Sequence, residues 1–334
     1  MKILFYDIND FELDYLLERV STSIEPYFIK TSLNSSTFVD EKYLDSEAIS
    51  CFVYSQLDKT TLSKFKNLKF IFLRSVGYSN VDLEYCKEKD IKIFNTPNYG
   101  NSTIAEYVFA LLLSLVKKIS TGQNSIKNGT IEQSKLTGIE LFGKTLGVIG
   151  VGAIGRKVIN IAHGFGMEVL AYDVKKIGAY NFVELDELLE KSDIISINCP
   201  LNSITKNLIN KETLAKMKKE SIIINTARGE IINTQDLYNA LINNKIKGAA
   251  LDVIECEEVL CQTHKKCSQN NFLKTHCLKK FFFIQKMLQL PNVIITPHNA
   301  YNTKEAQTRI LNITLENIKS SFNLSASAKN LVLL

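Results

Sequence analysis

Lys144-Thr145-Leu146-Gly147-Val148-Ile149-Gly150-Val151-Gly152-Ala153-Ile154-Gly155 sets an apolar strand directly before a G-x-G-x-x-G turn, and a helical pattern follows. Such a turn suits a dinucleotide pyrophosphate. Gly150 permits the tight bend, Gly152 lets the main chain approach the phosphates, and Gly155 lets the next helix pack on the strand with its first N–H groups facing the anion. The following strand, Glu168 to Tyr172, ends in Asp173, eighteen residues beyond Gly155, where a carboxylate accepts hydrogen bonds from ribose hydroxyls. A carboxylate there favours NAD, because it repels a 2′-phosphate, while Lys175 and Lys176 soften that repulsion.

Outward from this turn, strand and helix alternate. Apolar runs at Thr145 to Ile149, Glu168 to Tyr172, Ile194 to Asn198, Ser221 to Asn225, Gly248 to Leu251 and Val293 to Ile295 read as six strands of a doubly wound parallel sheet. Earlier runs at Lys2 to Tyr6, Ile49 to Tyr54, Phe70 to Leu73 and Ile91 to Phe94 make a separate, smaller α/β unit. Between them, Ile104, Val108, Leu111, Leu112 and Leu115 predict a helix over Thr103 to Ile119, with Ser102 or Thr103 as its cap. The amphipathic stretch containing Ile310, Ile313, Leu315 and Ile318 predicts a last helix that returns to the first unit. The expected architecture is therefore α/β with two domains. One is a Rossmann-type domain over 100–299; the other is a smaller, discontinuous, flavodoxin-like substrate domain over 1–99 and 300–334, and a cleft between domains is where small substrates bind.

Bulk composition fits this reading. The 334 residues are 45% hydrophobic, ample for two cores, and a net charge of +5 without a basic stripe does not indicate nucleic acid. The start at Met1 to Asp7 reads as a strand rather than a signal peptide, and the longest apolar stretch, Val108 to Val116, is too short to span a bilayer. Seven cysteines, an odd number, without a secretory signal suggest reduced thiols and a cytoplasmic protein.

Three strings carry chemistry. Ser221 to Asn225 is followed by Thr226-Ala227-Arg228-Gly229, Ala250-Leu251-Asp252 by Val253-Ile254-Glu255-Cys256-Glu257, and Val293 to Ile295 by Thr296-Pro297-His298-Asn299. Each brings a polar side chain to the carboxyl end of a strand, where open parallel sheets bind ligands. A guanidinium fork holds a 2-keto acid's carboxylate, and an imidazole paired with a carboxylate exchanges the proton that accompanies hydride transfer. His163 lacks such neighbours and reads as structural.

In this order the motifs resemble the D-isomer-specific 2-hydroxyacid dehydrogenases, closest to the D-lactate dehydrogenase branch, over nearly the whole chain. The resemblance implies that Arg228 binds the substrate carboxylate and carbonyl, His298 is the general acid/base and Glu257 hydrogen-bonds to the imidazole. It implies NAD contacts at Gly150, Gly152, Ala153, Ile154, Gly155, Asp173, Cys199, Pro200, Thr205, Thr226, Ala227 and Asp252, with Ala153 replacing the longer polar side chain of many relatives. In Arg74-Ser75-Val76-Gly77-Tyr78-Ser79-Asn80-Val81-Asp82 it assigns the Val76 and Gly77 N–H groups to the substrate carboxylate, and Tyr99 and Tyr301 to the substrate wall.

The stretch 258–290 is an insertion relative to the shortest members. Cys261, His264, Cys267, His276 and Cys277 carry zinc-ligating atoms, but their spacing matches no standard zinc ribbon or finger, so no metal is expected. Phe281-Phe282-Phe283-Ile284 and Met287-Leu288 predict a helix covering the domain interface or a partner subunit. The implied activity is NAD-dependent interconversion of a small 2-keto acid and its D-2-hydroxy acid, pyruvate and D-lactate first, in a homodimer. Alternatives are a glyoxylate/hydroxypyruvate reductase and a non-enzymatic, NAD-sensing corepressor-like protein. The chain ends too soon for the regulatory domain that phosphoglycerate-oxidising relatives often carry.

Overall fold

The apolar runs become strands because a parallel sheet buries both of its faces. Ile194–Ile197, Ile222–Asn225 and Gly248–Leu251 are accordingly buried throughout. The computed structural model of the chain describes residues 1–257, 275–322 and 329–332. It divides into two compact units, Met1–Tyr99 with Asn302–Leu334, and Gly100–Tyr301. Elements are numbered along the chain.

Within the described residues the first unit holds a six-stranded sheet of β1 (Lys2–Phe5), β2 (Glu25–Phe28), β3 (Ala48–Cys51), β4 (Phe70–Leu73), β5 (Lys92–Phe94) and β12 (Leu331–Val332). The order is β2-β1-β3-β4-β5-β12, parallel except for β12, which runs antiparallel beside β5. Helices α1 (Asp10–Leu17), α2 (Lys59–Leu62), α3 (Leu83–Glu88) and α11 (Lys304–Ser321) complete it. Side chains alternate across the sheet with the two-residue period of a strand. Leu4, Ile49, Ile71 and Ile93 pack on one face, while Ile3, Phe5, Phe72 and Phe94 meet Leu311, Leu315 and Ile318 of α11 on the other.

The second unit holds β6 (Thr145–Ile149), β7 (Glu168–Tyr172), β8 (Ile194–Ile197), β9 (Ile222–Asn225), β10 (Gly248–Leu251) and β11 (Val293–Ile295) in the order β7-β6-β8-β9-β10-β11, all parallel. The order reverses at β6, so the crevice outside the carboxyl ends of β6 and β8 is the switch point of the sheet. Helices α4 (Asn101–Val116) and α6 (Ala153–Gly164) cover one face through Val108, Leu112, Leu115, Val158 and Ala162. On the other face α7 (Leu185–Lys191), α8 (Lys211–Lys216), α9 (Thr234–Ile242) and α10 (Thr275–Met287) bury Leu188, Leu214, Leu237, Ile284 and Met287. A short α5 (Ile119–Lys127) follows α4.

Several expectations need correction. The strand expected over Ile49 to Tyr54 stops at Cys51, because Phe52 gives its N–H to the Asp7 carboxylate at 3.1 Å instead of the ladder. Helix α4 starts at Asn101, with Gly100 at its cap and no side-chain capping bond, so Ser102 and Thr103 lie inside the first turn. Helix α10 forms over the expected run, burying Ile284 and Met287 against the sheet and α9 of its own unit and leaving Phe282 exposed. Thiols are not all reduced: Cys256 and Cys277 form a disulfide, because α10 returns to the end of β10 and sets the two Cα atoms 5.7 Å apart, inside the bridging range. That bond also removes Cys277 as a metal ligand; Cys261, His264 and Cys267 lie outside the described residues, as does the side chain of His276. Among the described residues, no group of three or more His, Cys, Asp or Glu side chains is placed to hold a metal, and no helix is long and apolar enough to cross a membrane.

Candidate active site

At the switch point the glycine turn has the stereochemistry of a phosphate cradle. Gly150 has φ +93°, in the region that favours glycine, and a Cβ there would stand 2.6 Å from the Cys199 nitrogen. A Cβ on Gly155 would stand 2.0 Å from the Gly150 oxygen, so the absence of a side chain there lets α6 close onto the turn. Gly152 is the opposite case: nothing lies within 4 Å of its would-be Cβ, so the main chain faces open space. Gly152 is also the cap of α6 and makes no side-chain capping bond, leaving the first-turn N–H groups of Ala153, Ile154 and Gly155 to an outside acceptor.

Asp173 closes this cradle from β7. Its Oδ2 accepts the Val151 N–H at 2.7 Å and its Oδ1 the Lys175 N–H at 2.9 Å, which fixes both the carboxylate and the turn. Lys176 is directed away, onto Glu184 at 2.9 Å. Beyond β8, Cys199 is buried, which pushes its thiol up to about 11. Thr205 fastens the next turn by donating to the Pro200 carbonyl at 2.6 Å, and its N–H goes to Asn202 Oδ1 at 3.0 Å.

The ends of β9, β10 and β11 bring the polar set together. Asn225 shapes the first: its Oδ1 accepts the Ala227 N–H at 3.0 Å and its Nδ2 donates to the Arg228 carbonyl at 2.8 Å. Thr226 is buried, whereas Arg228 is exposed and donates from Nη1 to the Ala227 carbonyl at 2.6 Å. A Cβ on Gly229 would stand 2.0 Å from the Ile254 carbonyl carbon, so the backbones after β9 and β10 touch. On the β11 side, Nδ1 of His298 lies 2.8 Å from Oε2 of Glu257, and Glu257 Oε1 accepts the Ile254 N–H at 3.2 Å. The Glu257 hydrogen bond is the main reason the His298 pKa is raised; burial opposes it, the Glu257 and Asp252 charges add to it, and Arg228 opposes it. Tyr301 stands edge-on to the imidazole with ring centroids 6.5 Å apart.

Asp252 sits at the end of β10, held by the loop that carries His298. It is 1% exposed, and protein donors engage both carboxylate oxygens: the Thr296 hydroxyl at 2.5 Å and Asn299 N–H at 2.9 Å on Oδ1, and the Ala300 N–H at 2.8 Å on Oδ2. Its carbonyl takes the His298 N–H at 2.8 Å. Asp252 thus clasps the histidine loop to β10. Glu255, to which the sequence assigns no role, takes the Thr234 N–H and the Lys280 ammonium on its Oε2, each at 2.8 Å. The sequence shows a three-carboxylate string at 252–257 but not which member faces inward.

In the first unit, Val76 is exposed and Gly77 half-buried after β4. Among the described residues neither main-chain N–H meets a protein acceptor, while the Val76 carbonyl accepts from Asn95 Nδ2 at 2.9 Å and the Gly77 carbonyl from the Ser75 hydroxyl at 2.7 Å. Behind this loop Arg74 is fully buried, donating to the Tyr6 carbonyl at 2.7 Å and paired with Glu12 at 3.2 Å. Tyr99 is half-buried, its carbonyl held by Arg309 Nε at 2.6 Å.

A doubly wound sheet with a phosphate cradle at its switch point, and an imidazole–carboxylate pair beside an arginine, defines a dinucleotide-dependent oxidoreductase. A family model described as D-isomer specific 2-hydroxyacid dehydrogenase, NAD binding domain, matches residues 109–300, and the chain belongs to that family. The hydroxypyruvate reductase of Thermotoga maritima is 39% identical over 248 residues, 73% of this chain and 74% of that one. The aromatic 2-oxoacid reductase of Clostridium sporogenes is 34% identical over 340 aligned positions, 99% and 98% of the two chains. Among solved structures, D-lactate dehydrogenase from Aquifex aeolicus, complexed with NAD and lactic acid, superposes with a TM-score of 0.84 at 35% identity over 99% of this chain and 98% of that one. The cofactor is NAD, and the open approach at Gly152, the uncapped first turn of α6 and the Asp173 carboxylate suit its pyrophosphate and ribose.

Proposed function

We propose that this enzyme reduces a small 2-keto acid to its D-2-hydroxy acid, pyruvate to D-lactate first among them, with Arg228, Glu257 and His298 as its catalytic set. The observation that carries the reading is the 2.8 Å contact between His298 Nδ1 and Glu257 Oε2. NADH, when bound, supplies the hydride. With Nδ1 committed to Glu257, Nε2 is the ring nitrogen that gives its proton to the carbonyl oxygen, and Glu257 stabilises the imidazolium before transfer. Arg228 engages a protein acceptor only through Nη1 among the described residues, so its other N–H groups serve the substrate carboxylate and polarise the carbonyl. Gly150, Gly152, Ala153, Ile154, Gly155, Asp173, Cys199, Pro200, Thr205, Thr226, Ala227 and Asp252 form the cofactor wall. Val76 and Gly77 offer unengaged N–H groups to the carboxylate, and Tyr99 and Tyr301 limit the substrate's side chain.

Pyruvate is placed first on the likeness to the Aquifex aeolicus D-lactate dehydrogenase, which was solved in complex with NAD and lactic acid. Glyoxylate or hydroxypyruvate is the second reading, favoured by the Thermotoga maritima relative. A cytoplasmic homodimer accompanies the proposal; exposed Ile119, Ile126 and Ile131 support a second copy as their cover, and light scattering reads the mass. The deciding assay follows NADH oxidation against pyruvate, 2-oxobutyrate, phenylpyruvate, glyoxylate and hydroxypyruvate. The highest kcat/KM is expected for pyruvate, giving D-lactate on chiral analysis. Turnover with none of them would restore the corepressor-like reading.

A further inference from the structure

The segment that carries Glu257 is tied to one helix at two points. Cys256 is bonded to Cys277 near the start of α10, and Glu255 is paired at 2.8 Å with Lys280, three residues further along the same helix. Positions three apart share a helix face, so one side of α10 grips Glu255 and Cys256, the residues directly before Glu257. Cys256 itself has φ +57°, a left-handed conformation rare for a residue with a side chain, and it needs such ties to persist. Apart from these ties, Glu257 is held by the Ile254 N–H at 3.2 Å and by His298.

We propose that Cys256 and Cys277 form a reversible thiol–disulfide site that sets how firmly Glu257 holds the His298 imidazole. The idea rests on the proton-transfer reading of Glu257 and His298 for its effect on turnover, though not for its effect on the imidazole. Oxidation needs a low-molecular-weight disulfide such as glutathione disulfide. The Cys256 thiolate attacks one of its sulfurs and expels a thiolate. Cys277 then loses its proton and attacks the Cys256 sulfur, expelling the second. Two protein thiols become one disulfide, and the oxidant becomes two thiols, which take up the two protons released. A dithiol reverses both steps. Exposure sets the order: Cys256 is half-buried, whereas Cys277 is 4% exposed. The thiols of Cys51, Cys86 and Cys199 are buried, and burial pushes them up to about 12, 12 and 11, which keeps them protonated and unreactive.

Opening the bond leaves the Glu255–Lys280 pair and the Ile254 N–H in place, so the reduced enzyme still turns over. What loosens is the approach of Glu257 to Nδ1. Of the charged groups around the imidazole, Glu257 and Asp252 favour its protonated form and Arg228 disfavours it, so a weaker Glu257 contact moves the balance towards the neutral ring.

The test uses the full-length enzyme with the Cys256–Cys277 bond closed by glutathione disulfide or opened by dithiothreitol, its state read by mass spectrometry after differential alkylation. His298 is titrated by NMR through its Cε1 proton, assigned with H298Q, and the reductive pH–rate profile is recorded in parallel. Opening the bond should lower the imidazole pKa and the alkaline limb by about 0.3 to 1 pH unit, a two- to tenfold change in protonated fraction on that limb. C256S and C277S should match the reduced enzyme in either buffer, and the shift should persist in C261S/C267S. Superimposable imidazole titrations in the two states would overturn the proposal, as would Cys256 and Cys277 that stay alkylatable after oxidation, or a shift lost in C261S/C267S. The NMR readout does not depend on turnover, so failure of the catalytic reading is seen separately, as full activity in H298Q.

Discussion

At the scale of single residues, His298 is positioned mainly through main-chain contacts. Its φ of +51° turns the ring out of the loop after β11, and its N–H is anchored on the carbonyls of Asp252 at 2.8 Å and Thr296 at 3.0 Å. Because the folded pKa of this imidazole is raised, its charged form persists above the ordinary histidine range, and reductive turnover should be lost only as pH rises through that raised value. Removing the Glu257 carboxylate removes the largest cause of the shift. E257Q should therefore move the alkaline limb to lower pH while leaving cofactor affinity in place, and an unmoved limb would detach Glu257 from the proton. H298A should lower kcat by about 10²- to 10⁴-fold, the usual effect of losing a general acid. Asp252 makes a different demand. Its buried carboxylate accepts from Thr296, Asn299 and Ala300, and an amide in its place would turn an NH₂ towards one of these donors. D252N should lose about 1–3 kcal/mol in urea unfolding and reduce kcat through a misplaced His298. Wild-type stability in that variant would mean that the clasp contributes little.

At the scale of elements, the turn between β6 and α6 separates folding from binding. A methyl group at Gly155 meets the Gly150 oxygen at 2.0 Å, whereas one at Gly152 meets nothing within 4 Å. G155A should unfold or fail to accumulate; G152A should keep the wild-type melting temperature yet bind NADH about tenfold more weakly or worse, since about 1.4 kcal/mol is a factor of ten. Calorimetric titration beside thermal melts tests the contrast, and equal NADH affinity in G152A would remove that glycine from the phosphate path. The strands β6, β8, β9 and β10 were legible because each is an apolar run bounded by turn residues, as a strand buried on both faces must be. Strand β2 was not, since Glu25-Pro26-Tyr27-Phe28 is an edge strand with an exposed end and a proline. Nor was β12, two residues long and antiparallel. The strand ends that deliver Arg228, Glu257 and His298 could be placed from the runs before them. The inward turn of Asp252, the Glu255–Lys280 pair and the Cys256–Cys277 bond could not, because each joins residues 21 to 48 positions apart whose meeting only the tertiary fold decides.

At the scale of the whole molecule, the second unit is one continuous stretch, whereas the first is assembled from both ends of the chain. That asymmetry makes their stabilities unequal in a testable way. Helix α11 places Leu311 and Ile318, fully buried, and Ile310 and Leu315, 3% and 7% exposed, in the first unit; three of these four pack directly with Ile3, Phe5, Phe72 and Phe94. Its Asn317 also donates to the Asn95 carbonyl at 2.8 Å and accepts from Asn330 at 2.8 Å. Burying an aliphatic side chain of this size stabilises by about 1.5–3 kcal/mol, so the four together reach the order of a small domain's entire stability. A chain ending at Tyr301 should therefore lose the first sheet and keep the second, whose core clusters are drawn from residues 105–295. Hydrogen exchange reads this directly. Amides of β1, β3 and β4 should exchange as in an unfolded chain, those of β6, β8 and β9 should stay protected, and NADH at a hundred times its Kd should still stabilise the remaining unit by about 2.7 kcal/mol. Protection persisting in β1, β3 and β4 would show that the first sheet stands without α11. Loss of protection in β6, β8 and β9 as well would show that the second unit cannot stand alone.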